Sequence, residues 1–298
     1  MALPYRWQWR IERWKSALRG FFGGGEQQPR PKVCPACGAL VGITATRCHE
    51  CGSGINFSMA AASRKLAGFF GGRAPVTSVL LIVNILFYGI SLAMTAQAGG
   101  GFSLFGGISG QALNTLGASR IDLILQGQWF RLVTAMFLHG SLIHIGSNMM
   151  VLLDIGPTLE ELYGSPRYLF LYVFTGMFSF VVSALFGHLA VGASGALMGL
   201  IGLMLAITTK RGGVHMKVMR SRLLTWVVII FLIGFSLPGV DNAAHFGGLA
   251  AGFVLGKLFA DREPLAGAEW QRAQALGWLA GLIVVGSFAM MLKQFVKI

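Results

Sequence analysis

Ser194 is framed by Gly192, Ala193 and Gly195 where a turn enters an apolar segment, and His245 stands near the start of another. A serine with small neighbours at the mouth of a membrane segment, with one histidine on a separate segment, is the minimum for a hydroxyl nucleophile and its base. Both groups would work below the membrane surface. A third apolar segment carries His139, His144 and Asn148, and the last two, four residues apart, share a helical face. Both of these side chains can donate hydrogen bonds, and on a membrane helix such groups can simply bond a neighbouring helix. Polar groups in membrane segments are costly and tend to mark function. Three segments each place such groups within a turn or two of one end. A polar packing cluster is the alternative reading of the same residues.

The elements that must position these groups are written in small residues. Gly195, Gly199 and Gly202 follow Ser194, and Gly248 and Gly252 follow His245 at GxxxG spacing. This predicts that the two segments approach backbone to backbone. Asp241 and Asn242, after Pro238 and Gly239, are expected to cap the helix of His245. Arg131 is expected to hold the loop before the second apolar segment through backbone carbonyls. Asp154 lies inside that segment and is read as structural, either pairing with a basic or polar group or capping a helix break at Gly156-Pro157. His188 is read as loop surface, and Tyr172 and Met198 as packing.

The chain has 298 residues, 54% hydrophobic and 12% charged, with a mean hydropathy of +0.66. Soluble domains carry roughly 25% charged residues, so a polytopic, all-α membrane protein is expected. Residues 1–75 form a basic, cytosolic region and residues 76–298 a membrane domain. Apolar segments fall near 77–96, 132–153, 167–186, 194–209, 223–237, 242–260 and 275–292, the fourth and fifth being short for a span of about 20 residues. The glycine-rich stretch 97–131 reads as a re-entrant or interfacial loop. No cleavable signal peptide is expected, because Met1 to Phe22 lacks an apolar run. Trp7, Ile11, Trp14, Leu18 and Phe21 recur there at helical spacing between arginines, as in a helix lying on an anionic membrane or packed on the protein's own body. A short echo links Leu18–Gly24 with Leu66–Gly72.

Most of the 24 Lys and Arg residues precede the first span or lie in the second-to-third, fourth-to-fifth and sixth-to-seventh connections. The opposite side holds only Arg120, Arg131, Lys293 and Lys297. The positive-inside rule then gives seven spans, a cytoplasmic N-terminus and a non-cytoplasmic C-terminus. The net charge of +13 is thereby a topology signal, and no nucleic acid is expected as a partner. The expected location is a membrane of the bacterial inner (plasma) type.

All four cysteines fall in two CxxC-Gly knuckles, Cys34 to Gly38 and Cys48 to Gly52. Such turns aim two thiolates at one point, and Cys34, Cys37, Cys48 and Cys51 together would make a closed, structural zinc site of zinc-ribbon type (about 32–54). Disulfides or free thiols are the alternatives, disfavoured on a reducing cytosolic side. The module's own partner is unknown.

The set resembles the rhomboid family of intramembrane serine proteases, from about Val76 to Ala260. The matching pieces are Trp129-Phe130-Arg131, His139 through His144 to Asn148, Gly192-Ala193-Ser194-Gly195, and Ala244-His245-Phe246-Gly247-Gly248 through Gly252, with Glu160 and Glu161 where the family often has a glutamate. The resemblance implies a six-helix core, here with a seventh C-terminal helix, and the zinc module as an addition. It implies a Ser194–His245 dyad, with Asn148 and His144 at the oxyanion and His139, Gly192, Gly195, Gly248 and Arg131 in support. No cofactor is implied for catalysis, and the implied substrates are transmembrane segments of other proteins. A catalytically inactive relative that binds or escorts membrane clients is the main rival. A channel and a zinc scaffold with a membrane anchor are weaker ones.

Overall fold

The structure is a computed structural model that describes residues 32–34, 39–50, 52, 54–55, 74–100, 107–187, 189–237, 239–264 and 267–296. The segment Met1 to Phe22, the glycine echo, Cys37, Cys51, His188 and Pro238 lie outside the described residues.

Helix α1 (Pro75–Thr95) opens on a proline, whose fixed φ and missing N–H suit a first turn. Val76, Leu80, Tyr88 and Leu92 face protein, while Ile82, Ile85, Leu86 and Ile90 face outward. The free amides at its start are met from 80 or so residues away in sequence. Glu160 accepts from Val76 N (2.9 Å), Thr77 N (2.8 Å) and Thr77 Oγ1 (2.8 Å), and Ser165 Oγ donates to it at 2.6 Å.

After α1 come a π-helical turn (Ala96–Gly100), then α2 (Gly110–Thr115), α3 (Ile121–Leu125), α4 (Arg131–Thr134) and a 3-10 turn (Ala135–Phe137). The long helices α5 (Leu142–Tyr163), α6 (Ser165–Leu185), α7 (Ser194–Lys210), α8 (Val214–Ser236), α9 (Asn242–Leu258) and α10 (Gly267–Val296) follow. Every residue of α7 from Gly195 to Thr208 is buried, so this helix is the axis around which α5, α6, α8 and α9 pack. Helix α8 is the opposite case, burying only Leu223 and Gly234.

Two expectations change. The second span is displaced, running from 142 to 163 rather than from 132 to 153. Leu132, Val133, Met136, Phe137 and Leu138 are apolar because they pack in the protein core, not because they meet lipid. Ser141 then starts α5 by accepting from His144 N at 3.2 Å. The helix also runs unbroken through Pro157, so Asp154 caps no break there; it lies on the exposed face. Gly156 is a contact residue, since a Cβ there would come within 2.9 Å of Thr77 and of the Tyr168 hydroxyl.

Among the described residues, five helices, α1, α5, α6, α8 and α10, are long and apolar enough to cross a bilayer. Helices α7 and α9, 17 residues each, reach about 26 Å, short of a hydrocarbon core of about 30 Å. A helix sheathed by protein, as α7 is, has no need to match lipid thickness.

At the N-terminal side, β1 (Lys32–Val33) pairs antiparallel with β2 (Leu40–Val41), and Arg47 bridges to Gly54. Cys34, Val41, Cys48 and Ile55 bury together, and Trp270 from α10 completes their cluster.

Candidate active site

Ser194 is the first residue of α7, and its position is set by the turn before it. Ser119 and Ala190 exchange backbone hydrogen bonds (2.9 and 3.1 Å), and Gly192 N donates to Ala135 O at 2.9 Å. The loop that supplies these acceptors is itself held by Arg131, which donates to Asn114 O and Ala118 O, both at 2.9 Å, and to Gln128 Oε1 at 2.7 Å. Gly192 has φ +127°, a conformation open to glycine, and a Cβ there would lie 2.6 Å from His144 Nε2 and 3.6 Å from Asn148 Nδ2. The two polar side chains of α5 therefore stand against the backbone two residues before Ser194.

The imidazole of His144 has a defined polarity. Gly140 N donates to its Nδ1 at 3.4 Å, so the neutral ring carries its proton on Nε2, the atom nearest Gly192. His139 is fully buried beside it, the two rings meeting edge to face with centroids 5.0 Å apart. Asn148 Nδ2 is buried without a hydrogen-bond partner among the described residues. Here sits a donor held ready in a site that leaves it unsatisfied.

His245 lies on α9, whose start is fixed twice. Asp241 accepts from Ala244 N at 2.9 Å through one oxygen and from Ser183 Oγ of α6 through the other. Asn242 stands against Gly234 of α8, where any side chain would overlap it. The ring of Phe231 is perpendicular to that of His245, with centroids 6.3 Å apart. The His245 side chain is buried, and its Nδ1 has no hydrogen-bond partner among the described residues. Among the described residues no carboxylate hydrogen-bonds this ring; Asp241 caps the helix turn that carries it.

Glycines bring α7 and α9 together. A Cβ at Gly248 would overlap Gly195 O, one at Gly252 would overlap Gly199 O, and one at Gly202 would overlap Leu249 O. On the other side of α7, Gly195 and Gly199 receive Ser179 and Thr175 of α6. Gly195 also faces Ala244 O, its Cβ position 3.8 Å away. Ser194 and His245 thus occupy the same end of one tightly packed helix pair, although they make no direct hydrogen bond.

The candidate groups Ser194, His245, His144, Asn148 and His139 gather around the start of α7, while Asp154 and the cysteine module do not join them. A surface hollow lined by Val218, Ser221, Arg222, Thr225, Trp226 and Ile229 lies on α8 and contains none of them. Sequence reasoning passed over Ser183, one unremarkable serine in an apolar span whose partner Asp241 is 58 residues away. Among the described residues no three potential metal ligands cluster; Cys37 and Cys51 lie outside that set.

Residues 126–262 match the rhomboid domain. The chain is 31% identical over 219 residues to "Rhomboid protease GluP" of Bacillus subtilis, covering 73% of this chain and 41% of that protein. It is 41% identical over 151 residues to "RHOMBOID-like protein 5" of Arabidopsis thaliana, covering 48% of each. It is 34% identical over 161 residues to "Rhomboid-type serine protease 2" of Emericella nidulans, covering 50% of this chain and 30% of that protein. The chain thus spans less than half the length of each of these relatives.

Proposed function

With a rhomboid domain at residues 126–262 and rhomboid proteases among its relatives supporting membership of the rhomboid family, we propose that the chain is an intramembrane serine endopeptidase that cleaves transmembrane segments of other proteins. The reading is carried by one observation: polar groups from α5, α7 and α9 converge at one end of a helix pair held by glycine-to-carbonyl contacts.

In the proposed reaction, His245 takes the proton of Ser194 Oγ as that oxygen bonds to the scissile carbonyl carbon. The carbonyl π pair moves to its oxygen. When the tetrahedral intermediate collapses, the C–N bond breaks and His245 gives the proton to the leaving amine. Water then attacks the acyl ester, His245 accepting its proton and returning it to Ser194 as the ester bond breaks. General-base help of this kind contributes about 10²–10⁴-fold. His144 Nε2–H, Asn148 Nδ2–H and the Ser194 backbone N–H are the proposed oxyanion donors. The unsatisfied Asn148 amide and the tautomer imposed on His144 support these two roles. A substrate helix hides its carbonyls in its own hydrogen bonds, so cleavage should favour segments with glycine, proline or small polar residues near the membrane surface.

The proposed topology keeps seven crossing helices, with α7 and α9 as the short pair, the N-terminus cytoplasmic and the C-terminus outside. For the cysteine module we propose a structural zinc held by Cys34, Cys37, Cys48 and Cys51. Two features fit that donor set. Cys34 and Cys48 are buried in one cluster. Cys34 N donates to Ala39 O at 2.7 Å and Gly52 N to Cys48 O at 2.9 Å, so each knuckle turns back on its first cysteine. When bound, zinc would cross-link two short hairpins that share little core of their own.

The test is labelling of the purified protein by a serine-reactive fluorophosphonate, together with cleavage of a model transmembrane substrate. Labelling and cleavage that both vanish in Ser194→Ala are expected. Labelling that survives the substitution removes Ser194 as nucleophile, and uncut substrate across several lipids favours the client-binding reading.

A further inference from the structure

We infer that the cysteine module is completed by the membrane domain: Trp270 of α10 serves as part of the module's core, so metal retention in the module and anchorage of the first turn of α10 are coupled. The inference rests on the zinc reading above and adds the residue that reads the metal's presence.

The described part of the module is too small to enclose a core. Its buried members are Cys34, Val41, Cys48 and Ile55, and the one large side chain in their cluster, Trp270, comes from the other end of the chain and is itself only 6% exposed. The neighbouring position confirms the docking, since a Cβ at Gly52, in the second knuckle, would lie 3.6 Å from Gln271 Nε2. Gly52 has φ +71°, a left-handed backbone conformation that favours glycine at this turn.

The docked turn of α10 is also wired into the membrane domain. Glu269, adjacent to Trp270, forms an ion pair with Arg167 at 3.0 Å. The Arg167 side chain is 4% exposed, stacks over Phe259 and donates to Ala260 O and Arg262 O at 3.1 and 3.2 Å. Arg167 belongs to the first turn of α6, and Ala260 and Arg262 follow the end of α9, the helix of His245. The module, α10, α6 and the end of α9 therefore meet at one clasp on the face opposite the candidate active site. The module's folding unit crosses the domain boundary drawn at residue 75.

Coupling of this kind is reciprocal. If Trp270 helps hold the metal-bound module, the metal-bound module equally holds Trp270 and its turn. Truncating a buried tryptophan removes a large packing contribution, so the release of metal should accelerate.

The experiment uses the full-length protein in detergent. Zinc content is measured first, then its release to the chromogenic chelator 4-(2-pyridylazo)resorcinol, for the wild type, Trp270→Ala and Trp270→Phe. Release from Trp270→Ala on the order of tenfold faster is expected, with Trp270→Phe close to the wild type. Hydrogen exchange in the wild type, before and after zinc removal, supplies the reciprocal reading without any variant. Exchange across 260–275 should rise when zinc is stripped, while that of α7 stays unchanged. A wild type that holds zinc but shows equal release from Trp270→Ala, or no exchange change across 260–275, overturns the inference alone. A wild type without zinc overturns it together with the metal reading.

Discussion

Gly248 of α9 rests on the carbonyl oxygen of Gly195 in α7, so closely that a single methyl group on Gly248 would occupy the oxygen's place. This contact sits one residue beyond Ser194 and one turn beyond His245. It fixes the separation of the two helices where the proposed chemistry requires it, and it repeats one turn further on, at Gly252 and Gly199.

Gly248→Ala should therefore wedge the pair apart and carry His245 away from Ser194. A displacement of about 1 Å can cost on the order of 10²-fold in rate, and overpacking of this sort destabilises by about 1–3 kcal/mol. Substrate cleavage and thermal unfolding in detergent check both effects. Wild-type turnover in this variant would show that the contact does not set the catalytic spacing.

Asn148→Ala removes one proposed oxyanion donor and leaves the nucleophile and base in place. Loss of such a donor costs about 2.7–4 kcal/mol in activation, or about 10²–10³ in kcat. Because Asn148 Nδ2 has no ground-state partner among the described residues, stability should hardly change. A fall in unfolding temperature with kcat intact would instead make Asn148 a packing residue.

Glu160 caps the start of α1. Glu160→Ala strips the acceptors from Val76 N and Thr77 N, and each buried donor left without a partner costs about 1–3 kcal/mol. Glu160→Gln, keeping one amide oxygen, should lose less. Unfolding temperatures ordered wild type, Gln, Ala are the expected result, and three equal temperatures would count against the cap.

Asp261 links the ends of α7 and α9, accepting from Arg211 Nε at 2.6 Å, while its backbone carbonyl accepts from Arg211 Nη2 at 2.7 Å. Burial pushes its carboxyl up, but the hydrogen bonds from Arg211 and the backbone, with the positive charge of Arg211, outweigh that and hold it below the ordinary carboxylate range. Its folded value is thus the lower one. Its stabilisation is fully present above the ordinary aspartate value of about 3.9 and is lost as pH falls through the folded value. The pair is partly exposed, so its contribution is at most about 1 kcal/mol. Asp261→Asn should lower the unfolding temperature at pH 7 and approach the wild type as the acid limit is reached. An equal deficit at both pH values would assign the effect to lost shape, not lost charge.

The amino-acid sequence alone determined which polar groups stand inside apolar segments, and that Gly195, Gly199, Gly248 and Gly252 recur at spacings that favour close helix approach. Both are local properties of composition and helical period. Tertiary structure decided what those segments touch. Hydropathy does not distinguish lipid from protein as an apolar neighbour, so 132–138 reads like membrane helix although it packs in the core, ahead of an α5 that begins at Leu142. The cap of Glu160 on α1, the hold of Ser183 on Asp241 and the insertion of Trp270 beside Cys34 and Cys48 join residues 58 or more positions apart. No window of sequence contains both partners of such a contact, because only the packing of whole helices brings them within a few ångströms.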